Sequence, residues 1–248
     1  MKLSFVFLPQ MRPFIIAFSA VLFSTVCLAE VSDVDNSSFL KIVGSAYSLE
    51  TGALLYRETH QLLDNDLHEV EYSEPDGRVF AHKTLDFSQS RITPSFSQRN
   101  ERNGESIDVK QLNSRLQINY LENRTAQPEE DSIPLVAGMV VDAGFDAFVK
   151  QYWDTLDAGK QMDIEYLVPS KQTTFSFRVA KVACLAGTQA DAVCFALSPV
   201  SWLVKMAVDP IVVAYDSTKK TLLRFTGRAN ICDEQGKYQS VDIQYHYF

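Results

Sequence analysis

The sequence predicts an α+β, mainly β domain: an antiparallel sheet with one or two helices packed on it. Short apolar–polar alternations recur along the chain with turn residues between them, the pattern of hairpin-connected strands. Helical spacing of apolar residues is clear only between Asp142 and Gly159, with Pro199 to Val208 a candidate for a second helix. Aromatic residues make up 11% of the chain against 10 glycines, which suits a filled core rather than disorder.

Taken in order, residues 1–29 read as a secretory signal peptide. Lys2 and Arg12 are the only charges, Phe14 to Phe23 is a short apolar run, and Cys27 and Ala29 supply a small-x-small cleavage site. The run is shorter than the roughly 20 apolar residues a membrane span needs. Acidic residues Glu30, Asp33 and Asp35 follow at once, against a retained anchor. A lipoprotein cut before Cys27 would leave Val26 at a place that wants a small residue. Met11 is a second candidate start. The expected mature chain, residues 30–248, is a single β-rich domain located in the periplasm, with no transmembrane segment.

The strands come next. Leu54–Leu63 and Leu67–Tyr72 flank Asp64-Asn65-Asp66 as a hairpin. Glu74-Pro75-Asp76-Gly77 is a turn leading to Val79–Phe87. Arg115–Tyr120 alternates with Leu116, Ile118 and Tyr120 on one face. Asn123–Ser132, polar, acidic and holding Pro128, reads as a loop. The helix from Asp142 has Phe145, Phe148, Val149, Tyr152 and Leu156 on one face, Asp142 as cap and Gly159 as terminator, for about 14 to 16 residues. Met162–Val168, Thr173–Ala183, Ile211–Tyr215, Thr221–Phe225 and Val241–Tyr247 are further strands. Pro199–Val208 fits either a helix capped by Ser198 and stopped by Pro210 or a buried strand.

Charge and cysteines bound the function. The formal charge is −8, and becomes −10 once the leader's two cations are removed. An acidic chain repels phosphate backbones, so nucleic acid is not an expected partner. Cys184 and Cys194 flank a turn-prone segment between two apolar runs and are the natural disulfide pair in an oxidising compartment; two buried free thiols are the alternative. Cys232 is then left over, free or intermolecular.

Catalytic motifs are sparse. No G-x-S-x-G, phosphate-binding loop or dinucleotide fingerprint occurs. Ser38/Lys41 and Ser217/Lys220 match Ser-x-x-Lys without its companion motifs. His68-Glu69 opens like a zinc-protease motif, but Tyr72 stands at the second ligand position. His60 faces Glu69 if the hairpin loop holds two residues. It faces His68, with Glu58 on the same side, if the loop holds three. Solvated strand histidines are the commoner case, and no metal or cofactor is assigned. No catalytic residue is assigned either; a hydrolase would need an unmotifed pair of facing carboxylates. At the C-terminus Val241, Ile243, Tyr245 and Tyr247 share one face, the buried face of a sheet in water; the opposite phase carries Asp242, Gln244 and His246, which cannot face lipid.

Two stretches resemble a group of uncharacterised secreted proteins of Gram-negative bacteria. They are Gly44-Ser45-Ala46-Tyr47 with Gly52-Ala53-Leu54-Leu55-Tyr56-Arg57-Glu58, and Tyr215-Asp216 through Leu222-Leu223-Arg224-Phe225-Thr226-Gly227 to Asn230-Ile231. The Tyr-Asp, Leu-Leu-Arg rhythm is also similar to periplasmic proteins of the lipoprotein-carrier type. The resemblance covers roughly two thirds of the chain, by strand order more than by residues. It implies a curved sheet, a half-open barrel closed on one side by helices, whose concave face holds a lipid or other apolar ligand. On that expectation Phe145, Phe148, Tyr152 and Trp202 would line the site. The alternatives are an envelope scaffold or interaction protein with a solid core and, third, the carboxylate hydrolase.

Overall fold

The computed structural model describes residues 41–202 and 210–248. Eight strands come first: β1 (Ile42–Ser48), β2 (Leu54–Leu62), β3 (Leu67–Ser73), β4 (Val79–Asp86), β5 (Ser95–Asn100), β6 (Ser106–Leu112), β7 (Arg115–Leu121) and β8 (Glu129–Pro134). A short β9 (Met139–Val140) leads into helices α1 (Gly144–Gln151) and α2 (Trp153–Asp157). Then come β10 (Met162–Val168), a single 3₁₀ turn (Pro169–Lys171), β11 (Thr173–Val182), β12 (Val193–Pro199), β13 (Ile211–Tyr215), β14 (Leu222–Cys232) and β15 (Tyr238–Tyr247).

All fifteen strands form one sheet, in the order β8-β7-β6-β5-β4-β3-β2-β1-β15-β14-β13-β12-β11-β10-β9. Neighbours are antiparallel throughout except β9 and β10. The first and last strands therefore pair in the middle, Ile42 opposite Tyr247 and Ser48 opposite Val241.

Connectivity forces the sheet to curve. β8 and β9 are its two outer edges, yet only residues 135–138 separate them. Laid flat at about 4.8 Å per strand, fifteen strands would set the edges about 67 Å apart. The link from Pro134 to Met139 reaches at most about 18 Å. The sheet must roll until its edges approach, giving a barrel-like body. Gln172, at the end of the 3₁₀ turn beside β10, donates a hydrogen bond to Glu129 of β8 at 3.1 Å across that gap.

Inward residues form two apolar clusters. One joins β1–β7 to the far ends of β14 and β15, with Tyr56, Tyr72, Phe80, Leu85, Leu116 and Ile118 at its centre. In the other, Phe145, Phe148, Val149, Trp153 and Leu156 of the helices lie on Ile164, Phe177, Phe195, Val213 and Tyr215 of β10–β13. The mainly β, antiparallel, curved fold expected from sequence is the one observed.

Several local expectations change. The stretch Asn123–Ser132, read as a loop, contains the start of β8. This edge strand pairs with β7 but buries almost nothing, so Glu129, Glu130 and Asp131 show no alternation, and their charge protects an open edge. β5 was hidden for a different reason. Its inward positions include Gln98 and Asn100, which are buried and polar. The helix from Asp142 breaks at Tyr152 (φ −103°), turning Trp153 edge-on to Phe195 and Tyr215 at centroid distances of 5.4 and 5.8 Å. Asp142 does not cap α1: Ala143 is the N-cap residue, and Asp142, at φ +44°, is turned to a different partner. The proposed second helix falls largely on residues 203–209, outside the described residues; its first residue, Pro199, ends β12.

Cys184 and Cys194 are bridged across the neck of the β11–β12 hairpin, Cα atoms 5.2 Å apart. Cys232 is free and buried.

Candidate functional site

A cavity of about 310 Å³ lies between β2–β4 and β12–β15, with the start of α1 across it. Its two walls differ. On the β12–β14 side, Leu197, Ile211, Val213, Leu222 and Phe225 are apolar. On the β2–β4 side, Glu58, His60, His68 and Lys83 face in, joined by Asp142 before α1 and Tyr245 from β15.

Strand pleating places the polar wall. Successive strand residues alternate faces, so Glu58 and His60 of β2, His68, Val70 and Tyr72 of β3, and Lys83 and Leu85 of β4 share the inward face. The hairpin register sets the histidines. The observed pairing is Leu62 with His68 and His60 with Val70, and the Leu63 N–H donates to the Leu67 carbonyl at 3.0 Å, so the loop is Asp64-Asn65-Asp66 and His60 stands opposite neither Glu69 nor His68. The Asp64 carboxylate accepts from the backbone N–H of Asp66 (2.8 Å) and Leu67 (2.7 Å), a side-chain turn that holds this loop. His60 and His68 still meet diagonally, ring centroids 5.2 Å apart.

Lys83, its side chain 2% exposed, donates to both carboxylate oxygens of Asp142 at 2.9 and 2.7 Å. Asp142 thus serves the cavity wall instead of the helix N-terminus. Glu58, 3% exposed, accepts from the Tyr245 hydroxyl at 2.6 Å and contacts His60 Nε2 at 3.2 Å through the same oxygen. Burial alone would push Glu58 up. The hydrogen bonds from His60 and Tyr245, with the charges of His60 and Lys83, outweigh it and hold the carboxyl below its usual range. Gly44 makes the arrangement fit: a Cβ there would stand 2.8 Å from Glu58 Cγ and 2.9 Å from Tyr245 Cε1.

His68 is treated differently. Burial, reinforced by the charges of His60 and Lys83, pushes its imidazole down to about 4. Its Nε2 is shut off from solvent and has no hydrogen-bond partner among the described residues.

A second buried carboxylate lies outside the cavity. Glu105 sits where β6 meets β15, accepting from the hydroxyls of Tyr238 and of Tyr120, the latter at 3.4 Å. Beside it Asn100 Nδ2 donates to the Cys232 carbonyl at 2.9 Å, and Gln98 Nε2 to the Asn230 carbonyl at 3.2 Å, tying β5 to β14. Burial pushes Glu105 up despite its donors, and burial with the nearby Glu105 pushes the Cys232 thiol up to about 12.

Of the residues expected to line a site, Phe145 borders the cavity. Phe148 and Tyr152 pack against one another, centroids 4.8 Å apart and ring planes tilted by 46°, in the helix-covered core beside it. Trp202 is 67% exposed and does not border the cavity. Glu58, His60 and His68 do come together, but no metal-holding group of His, Cys, Asp or Glu occurs among the described residues. The Lys83–Asp142 pair, Tyr245 and the orphaned His68 nitrogen escaped the sequence reading. The available signal was one lysine in the inward phase of β4, between Ala81 and Leu85.

The chain matches no protein-family model and no curated protein. Among solved structures it is similar to the crystal structure of a beta-barrel-like protein of domain of unknown function DUF1849 from Brucella abortus. Identity is 8%, the TM-score is 0.47, and the match covers 84% of this chain and 95% of that one. No helix among the described residues is long and apolar enough to cross a membrane.

Proposed function

We propose that this is an exported, non-enzymatic periplasmic binding protein that holds one small apolar or amphipathic molecule inside its rolled sheet. The observation that carries this is the cavity: about 310 Å³, at the lower end of the range of ligand pockets, with an apolar wall on one side and a few convergent polar groups on the other. Its size favours a single short chain or ring over a lipid with several acyl chains. Export is supported by the signal-like leader and by the Cys184–Cys194 bridge, which suits an oxidising compartment.

The cavity weighs against a scaffold with a solid core. A carboxylate hydrolase would need a raised carboxyl group in the cleft. Glu58 is held low, Asp142 is tied to Lys83, and Glu105, the raised one, does not border the cavity.

The test is native mass spectrometry of the mature protein purified from the periplasm, with organic extraction of the bound fraction. The expected result is a defined small apolar adduct. It should be lost in Ile211→Trp, which fills the cavity, while circular dichroism stays that of the parent. An adduct-free mass, with no uptake of a neutral fluorescent probe such as N-phenyl-1-naphthylamine, would leave the scaffold reading in front.

A further inference from the structure

The charged groups deep in the cavity already have hydrogen-bond partners. Deep in it, Lys83 is held by both oxygens of Asp142, and Glu58 by Tyr245 and His60. Nearer the mouth, Lys150 pairs with Asp146 at 2.7 Å, both roughly two-fifths exposed (43% and 36%). Arg228 also borders the cavity but is exposed, its guanidinium 5.0 Å from the Tyr238 ring. Among the described lining residues, no buried cation is left to receive an anionic head group, and each of the carboxylates Glu58, Asp142 and Asp146 already holds a donor. A charged head placed there would have to break an existing pair or remain buried and uncompensated, which costs far more than a neutral group's desolvation.

Two polar atoms of the lining have no hydrogen-bond partner among the described residues: Asp146 Oδ1, whose other oxygen holds Lys150, and His68 Nε2 on the polar wall. Buried polar atoms without a protein partner are uncommon and often mark a site. His68 lines the cavity on the polar wall, opposite Leu197, Val213 and Phe225. A neutral imidazole nitrogen donates or accepts according to tautomer, so it suits a hydroxyl or an amide equally.

We infer that the cavity selects single-chain amphiphiles with a neutral hydrogen-bonding head, a hydroxyl or an amide, received by His68 Nε2, and rejects the matching carboxylates and ammonium ions. The chain of the ligand lies against Leu197, Val213 and Phe225. This rests on the binding-protein reading above and adds the class of ligand to it. The depressed imidazole supports it, because His68 stays uncharged through the neutral range.

The experiment is calorimetric titration of the mature protein at pH 7.5 with 1-decanol, decanoate and decylammonium, each below its micelle concentration. The expected order is 1-decanol tightest, with both ions at least about tenfold weaker. His68→Leu is expected to weaken 1-decanol by roughly five- to tenfold, the loss of one net hydrogen bond, and His68→Gln to restore most of it. Circular dichroism of both variants checks that they fold. Decanoate or decylammonium binding as tightly as 1-decanol would overturn the head-group inference and leave the binding-protein reading standing. So would an unchanged 1-decanol affinity in folded His68→Leu. Failure of all three probes to bind would remove both.

Discussion

Glu58 and Glu105 are buried to nearly the same degree, 3% and 2% exposed, inside one rolled sheet, yet their carboxyl groups move in opposite directions. Glu58 gains from a histidine, a tyrosine hydroxyl and the nearby charge of Lys83. Glu105 has two tyrosine hydroxyls and the Cys232 thiol for donors but no histidine; Lys83 is the weakest influence on both carboxylates, and at Glu105 desolvation wins. Burial therefore does not decide what a carboxylate does; the histidine beside Glu58 does. The comparison also separates two uses of buried polarity. The Glu105 cluster ties β5 and β6 to β14 and β15 and does not border the cavity, although Glu105 Oε2 and Gln98 Oε1 in it also lack a partner among the described residues. The Glu58 cluster stands at a cavity and leaves one nitrogen unmatched.

The largest expected effect is the loss of the buried Lys83–Asp142 pair beside Glu58. Lys83→Met leaves Asp142 and Glu58 without the cation, and the expected loss is about 3–5 kcal/mol in urea unfolding. Adding Asp142→Asn, a residue that tolerates the positive φ, should recover much of that loss.

The two sites should also show opposite pH limbs. His68 has a folded value of about 4 against an ordinary 6.5. The unfolded chain therefore takes the proton first, and stability falls as pH drops from 6.5 toward 4, by up to about 3 kcal/mol. His68→Gln should flatten that limb. Glu105 is raised above its ordinary 4.5, so its contribution is complete below that pH and is lost as pH climbs through the raised value. Glu105→Gln should flatten the second limb and leave the first.

A smaller effect is expected at Gly44. Gly44→Val drives a side chain between Glu58 and Tyr245, costing about 1–3 kcal/mol, with a larger proportional loss of ligand binding than of stability. Smallest is the reactivity of Cys232. Its thiol, buried and pushed up to about 12, should resist a disulfide reagent in the native protein at pH 8 and react on unfolding in urea.

The sequence made the sheet readable where one face is apolar. Leu116, Ile118 and Tyr120 of β7, and Val241 and Ile243 of β15, alternate with polar neighbours and are buried as that pattern requires. It concealed β5, whose inward Gln98 and Asn100 look like solvent-facing residues, and β8, which has no buried face. The Cys184–Cys194 bridge was readable because it closes a local hairpin. The site was readable at Phe145 and, through the β2–β3 hairpin, at Glu58, His60 and His68. Lys83 meets Asp142 across 59 residues, and Glu58 meets Tyr245 across 187, distances over which spacing carries no information without the rolled topology. Helical periodicity located Phe148 and Tyr152 correctly on a buried face, but periodicity does not distinguish the part of that face that fills the core from the part that borders a cavity.

The four histidines offer the most direct probe of the central claim, that the cavity holds an amphipathic ligand against its polar wall. His60 and His68 border the cavity, whereas His82 and His246 are exposed. Imidazole ¹H–¹⁵N spectra of the mature protein titrated with 1-decanol at pH 7.5 should show a saturable shift at His68 Nε2, a smaller one at His60, and none at His82 or His246. A titration that leaves His68 unmoved, or moves all four alike, would contradict the account.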